Sequence, residues 1–175
     1  MPDITISPLK DAEIDDVIRL ARRIWHAHYP GIITVEQIDY MLERGYTPTV
    51  IRNEIEHQEI IWEVIRDTHD MIGFLSVGPF GDSTLKLHKL YLLPEHHGRG
   101  IGAMALAEVE RIAHSKKAGT LILNVNRHNT KAINAYLRAG WQVDHETVLD
   151  IGNGYVMDDF VMAKKLTTKS DSNEH

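Results

Sequence analysis

The segment Leu87-His88-Lys89-Leu90-Tyr91-Leu92-Leu93-Pro94-Glu95-His96-His97-Gly98-Arg99-Gly100-Ile101-Gly102-Ala103 carries the strongest chemical signal in the chain. Here a strand feeds a loop with three alternating glycines, and a helix follows. Glycine lets the backbone turn tightly and approach a ligand without a Cβ in the way. The free N–H groups of the helix's first turn then converge with its dipole, a setting suited to phosphate oxygens. Arg99 adds a mobile positive charge at the rim, and a pyrophosphate is the natural guest. The plainer reading is a glycine-rich corner. A Walker loop is excluded, because no Gly-Lys-Ser/Thr occurs. A dinucleotide site has its glycines close to the strand end and an acidic ribose ligand about 20 residues further on. Instead, Pro94 to His97 intervene, and the next strand ends in Asn124-Val125-Asn126.

The other reactive residues exclude more than they assign. Eleven histidines invite a metal site, but His26 and His28 are two apart on a helix and point to different faces. His96 and His97 are adjacent, and His145-Glu146 does not continue to a second His at metalloprotease spacing. No metal is expected. The absence of Cys removes disulfides, thiolate zinc sites, iron–sulfur clusters and cysteine nucleophiles. A net charge of −6 argues against a nucleic-acid partner and suits weak steering of a cationic small molecule. Met1 to Lys10 lacks an apolar signal core, and Met71 to Phe80, the longest apolar-rich stretch, is too short for a bilayer. The expected setting is cytoplasmic, with no membrane partner.

The elements that must position the loop are legible from periodicity. Ile14, Val17, Ile18, Ala21, Ile24 and Trp25 trace one helical face, with Asp11 as N-cap. After Tyr29-Pro30-Gly31, Thr34 and Gln37 have capping-box spacing ahead of a helix over Val35 to Arg44 that Gly45 ends. Another helix is expected over Thr49 to His57. Ile60 to Ile65 and Met71 to Val77 read as a hairpin about Asp67-Thr68-His69-Asp70, and a third strand over Thr84 to Leu93 stops at Pro94. The helix after the glycines runs to about Lys117, with Gly119 as left-handed cap. A strand over Thr120 to Asn126, a helix over Asn129 to Ala139, and strands over Trp141 to Leu149 and Tyr155 to Lys164 complete the pattern. This implies one domain over 1–166, an α/β (α+β) fold with one mixed sheet and helices on both faces. Residues 167–175 form a polar tail expected to be disordered.

At this point the residues resemble the GNAT superfamily of acetyl-CoA-dependent N-acetyltransferases. Its pyrophosphate signature, Gln/Arg-x-x-Gly-x-Gly/Ala, is matched by His97-Gly98-Arg99-Gly100-Ile101-Gly102 except at the first position, where His97 stands. Downstream, Asn129-x-x-Ala132-x-x-x-Tyr136-x-x-x-Gly140-Trp141 is similar to a second family element, Trp standing where many members have Phe. The resemblance covers roughly Ile60 to Leu166. It implies a mostly antiparallel sheet, acetyl-CoA as cosubstrate and no covalent enzyme intermediate. The Trp25 to Tyr46 region and the closing segment through Leu166 look like bacterial polyamine N-acetyltransferases.

By that resemblance the cofactor-binding set is Leu90, Tyr91, Leu92, His97, Gly98, Arg99, Gly100, Ile101, Gly102, Ala103, Asn129 and Tyr136. Leu90, Tyr91 and Leu92 would act through their main chains, pairing with pantetheine as an added strand, with the Leu92 N–H facing the thioester carbonyl. Tyr136 is the expected general acid, a phenol that stays protonated at neutral pH; the competing reading is a ring packed on the sheet. Asn129 could serve pantetheine or cap its helix. His88 is the candidate base, with an ordinary imidazole pKa of around 6.5; relatives often have Glu there. Glu36, Asp39 and Tyr40 could meet a cationic acceptor, Asp39 being the one best read as a solvated helix face. The expected reaction is direct acetyl transfer to a primary amine, with a polyamine as acceptor. The alternatives are a protein N-terminus or aminoglycoside-like amine, and a CoA-binding regulatory module without turnover. The closing strand could support a homodimer.

Overall fold

The computed structural model describes residues 3–167; the expected tail beyond Thr167 lies outside the described residues. The elements are β1 (Ile4–Pro8), α1 (Ile14–His28), α2 (Val35–Gly45), α3 (Pro48–His57), β2 (Ile61–Asp67), β3 (Asp70–Gly81), β4 (Thr84–Leu92), α4 (Ile101–Ser115), β5 (Thr120–Asn126), α5 (Thr130–Arg138), β6 (Gln142–Gly152) and β7 (Tyr155–Lys165). They build a seven-stranded sheet in the order β1-β2-β3-β4-β5-β7-β6. Among the described residues, β4 and β5 are the only neighbouring strands of the sheet that pair parallel. The mixed, mostly antiparallel sheet with helices on both faces is therefore present as expected.

The helices divide between the faces according to side-chain parity. Tyr91 of β4 and Phe74 of β3 stack with Trp25 of α1 and Tyr46, just after α2, so α1–α3 cover that face. On the opposite face Lys164 of β7 reaches both Glu110 of α4 and, at 2.8 Å, the Ala139 carbonyl that ends α5. Both parallel crossovers thus lie on one side, as the right-handed rule requires when successive connections move the same way across a sheet.

Several local expectations needed correction. β1 went unforeseen because a five-residue strand carries too short an alternation; its Ile4 and Ile6 pack on the core. Asp11 does not cap α1, since its carboxylate is held by Arg52 at 2.8 Å. Thr34 does accept from the Gln37 N–H, at 3.2 Å, but the Gln37 side chain donates to the Val156 carbonyl instead of closing the box. After α4 the left-handed residue is Lys117, with φ 56°. Gly119 serves a different need: a Cβ there would sit 3.2 Å from Ser83 Oγ, where the two loops pass. The β6–β7 turn brings Gly152 against α2, and a Cβ would meet the Tyr40 hydroxyl at 2.6 Å. Among the described residues no helix is long and apolar enough to cross a membrane.

Candidate active site

The site begins where the parallel pair separates. β4 and β5 are in register from Thr84–Thr120 to Leu87–Leu123, and there the pairing stops although both strands continue. The cause is a bulge on the other side of β4. Val77 opposes Leu87 and Ser76 opposes Lys89, so His88 is an extra residue without a partner. A bulge bends its strand and increases twist, which carries residues 88–92 away from β5. The same insertion flips the alternation, so that Leu87, Leu90 and Leu92 share the α4 face while Lys86, Lys89 and Tyr91 share the α1 face.

The opened edge has a defined hydrogen-bonding character. Leu93 donates its N–H to the Ile72 carbonyl at 2.9 Å. Alternate residues of an antiparallel strand turn their main-chain groups the same way, so Tyr91 also faces β3, while Leu90 and Leu92 face the gap. Of the three residues expected to offer main chain to a ligand, Tyr91 is therefore corrected. Its contribution is its half-buried side chain, whose hydroxyl meets that of Tyr29 at 3.1 Å.

Beyond the strand, Gly98 and Gly100 have φ of 76° and 79°, left-handed values that disfavour any side chain. A Cβ at Gly98, Gly100 or Gly102 would meet nothing within 4 Å, so the loop and the first turn of α4 border open space. The Met104 N–H is bonded to the Gly100 carbonyl at 3.1 Å. The N–H groups of Ile101, Gly102 and Ala103 precede the helix's own ladder and are free for a ligand. Arg99 does not roam the rim: its guanidinium binds His96 at 2.6 Å and Asp67 at 3.2 Å. Its backbone remains in the loop.

His97 uses its ring differently from an anion ligand. Its Nε2 donates to the Leu92 carbonyl at 2.9 Å, and its Nδ1 accepts from Lys131 Nζ at 2.7 Å. One tautomer satisfies both, and the glycine loop is thereby tied to β4 and to α5. Asn129 is 6% exposed and caps α5, its Oδ1 accepting from the Ala132 N–H at 3.4 Å. The same oxygen lies 3.1 Å from His28 Nε2, which must then carry the proton. His28 thus links the end of α1 to α5 across the gap, a role that histidine spacing along the chain gives no hint of.

Tyr136 lines the cleft, its ring 5.8 Å from that of buried Trp141, so packing and exposure to the gap are combined. Burial raises its phenol well above the ordinary value, and it stays protonated. Tyr29, also unforeseen, is pushed up to about 12 by burial. His88 moves the other way. Desolvation, with Lys86 and Lys89 adding like charge, lowers it to about 4, so the expected titration near neutrality is absent and the ring is neutral.

The cleft enclosing these groups has a volume of about 980 Å³. Of the acceptor candidates, Tyr40 donates to the Ile151 carbonyl at 2.7 Å, and Asp39 pairs with His26 at 3.0 Å. Tyr40 has thereby spent its donor, whereas Asp39 is a surface carboxylate of α2. Sequence reasoning missed Asp159 of β7, which lines the cleft and is 3% exposed.

Comparison with known proteins agrees with this geometry. The acetyltransferase (GNAT) family matches residues 18–141. A spermidine N(1)-acetyltransferase of Thermoplasma acidophilum is 28% identical over 93% of this chain and 97% of its own. The crystal structure of a PaiA N-acetyltransferase from the same organism, in complex with coenzyme A, superposes with a TM-score of 0.78 at 26% identity. It covers 94% of this chain and 99% of that one. A GCN5-related N-acetyltransferase from Rhodopseudomonas palustris shares the fold at 15% identity and TM-score 0.78, over 95% and 98% of the two chains.

Proposed function

Because this chain belongs to the acetyltransferase (GNAT) family, we propose that it moves the acetyl group of acetyl-CoA directly to a primary amine, with a polyamine as acceptor. The observation that carries this reading is the parted β4–β5 pair, which opens one strand edge beside a glycine-lined helix N-terminus. The residues fit coenzyme A on that ground: a Cβ at Gly98, Gly100 or Gly102 would stand in the space a diphosphate needs. Main-chain N–H groups of Gly98 to Ala103 bind the diphosphate through the α4 dipole and unpaired donors. Leu90 pairs through its main chain with pantetheine as an added strand, and Leu92 offers its N–H, its carbonyl already accepting from His97.

The chemistry has three requirements, and the site has a group for each of two. The Leu92 N–H faces the thioester carbonyl and stabilises the oxyanion that develops there. Tyr136, protonated and turned to the gap, donates to the departing sulfur. His88, held neutral by its surroundings, lines the acceptor's approach without titrating near pH 7. The third requirement is a group to receive the amine's proton.

The polyamine assignment draws support from the spermidine acetyltransferase relative, which spans nearly the whole chain. An amine panel followed by CoA release tests it. Spermidine is expected to turn over faster than an N-terminal peptide or an aminoglycoside. Turnover confined to the peptide would replace polyamine with a protein N-terminus, and no turnover with any amine would leave only a CoA-binding module.

A further inference from the structure

We propose that Asp159 is the acceptor-side carboxylate that holds the substrate's ammonium group and takes its proton. This rests on the transferase reading above and deepens it by assigning the proton acceptor.

Asp159 opposes Asn126 on one side and Thr147 on the other, level with the end of β5 and past the last β4–β5 pair. By alternation it shares the α1–α3 face with Asn124 and Asn126, whereas the glycine loop's helix, α4, lies on the opposite face. A cofactor arm laid along β4 from the α4 side therefore reaches the gap from one face, and Asp159 meets an acceptor arriving from the other.

The second observation is its lack of a counter-ion. A buried carboxylate is costly unless a cation or several donors compensate it. Asp159 is 3% exposed, yet among the described residues it forms no ion pair. The groups around it are Asn124 of β5 and, at longer range, Lys86 of β4 and Asp158 of its own strand, with Tyr29, just after α1, also nearby. Lys86 acts on Asp159 only at longer range, and neither lysine of this face comes within ion-pair distance of it. The Lys89 ammonium stands 5.3 and 5.2 Å from the ring centroids of Tyr46 and Trp62 and 3.8 Å from Glu54. That of Lys86 stands 5.3 Å from the Phe80 ring centroid. A substrate ammonium supplies the direct ion pair that Asp159 lacks. Burial is the main influence raising the carboxyl above the usual carboxylate range, which also makes it a better base.

The step balances as follows. Asp159 takes one proton from R–NH3⁺, and the free amine's lone pair attacks the thioester carbonyl carbon to form the C–N bond. The adduct gives a second proton to water, and the C–S bond breaks with its electron pair on sulfur. That sulfur takes the Tyr136 proton, which water restores, and Asp159 returns its own proton to solvent. One amide, one thiol and one proton result.

Asp159→Asn, with Asp159→Glu as partner variant, tests this with spermidine as acceptor. For Asp159→Asn, kcat/KM at pH 7 should fall by about 10²–10⁴-fold, the range of a general base. The loss should shrink toward pH 10, where the amine deprotonates unaided, and Asp159→Glu should recover part of the rate. The apo variant should melt a few degrees higher, since the uncompensated charge is gone, and acetyl-CoA should raise its Tm as it does the wild type's. A wild-type enzyme that acetylates spermidine, with Asp159→Asn equal to it at pH 7, would overturn this assignment while leaving the transferase reading intact. A loss of the same size at every pH would overturn it as well. A wild type that binds acetyl-CoA yet acetylates no amine would overturn both.

Discussion

Replacing His97 probes the coupling between the glycine loop and the strand edge. The ring makes two hydrogen bonds, to the Leu92 carbonyl at 2.9 Å and to Lys131 at 2.7 Å, and so ties three elements that border the cleft. Each such bond contributes about 0.5–1.5 kcal/mol net. His97→Ala therefore costs the bound geometry about 1–2 kcal/mol, once part of the loss is shared with the free protein. At 1.4 kcal/mol per tenfold, acetyl-CoA affinity should weaken about 5–30-fold. His97→Gln, the residue type the family places there, offers one N–H donor and one carbonyl acceptor to the same two partners. It should stay within about threefold of wild type. Calorimetric titration of acetyl-CoA into the three proteins reads this directly, and Tm without ligand checks that all are folded. If His97→Ala bound acetyl-CoA as tightly as wild type, the loop would be positioned without the ring, and the account of His97 as a strut would be wrong. If His97→Gln were as weak as His97→Ala, the ring itself rather than its donor–acceptor pair would matter.

Other perturbations separate the remaining roles. Tyr136→Phe removes only the hydroxyl and should lower kcat by roughly 10²–10⁴-fold with little change in acetyl-CoA affinity; unchanged kcat would reduce Tyr136 to packing against Trp141. His88→Ala should change the rate by the same factor from pH 6 to 9, because partial desolvation of this surface-reaching ring and the adjacent lysines lower its pKa to about 4. A loss confined to the region near pH 6.5 would show instead that the ring titrates there. Glu63 of β2, 4% exposed, is raised to about 7 by burial first and then by its hydrogen bond to Glu108, which Arg111 keeps ionised. Its folded-state value exceeds the unfolded one, so its stabilisation is full below about 4.5 and fades as pH rises through 7. Glu63→Gln should match wild type in urea at pH 5 and exceed it by about 1–2 kcal/mol at pH 8, after allowing for solvent screening. Equal stability at both values would refute the buried-acid reading.

The sequence by itself determined the glycine loop, the helix after it, and the Asn129–Tyr136 segment, because each depends on local rules. Left-handed φ at Gly98 and Gly100, the free N–H groups of a first helical turn and an Asn at an N-cap are properties of a few consecutive residues. The order of the long elements was equally legible, since each presents a full period of apolar side chains to the core. What tertiary structure decided were the contacts between residues far apart in the chain. The bulge at His88 arises from register with β3, and only that register shows which of Leu90, Tyr91 and Leu92 face the gap. The ring of His97 meets a carbonyl five residues back and a lysine 34 residues ahead, and His28 meets Asn129 across 101 residues. The titration of His88 and the isolation of Asp159 follow from desolvation and from charges on neighbouring strands. Dielectric surroundings and cross-strand distances belong to the packed sheet, and no spacing along the chain encodes them.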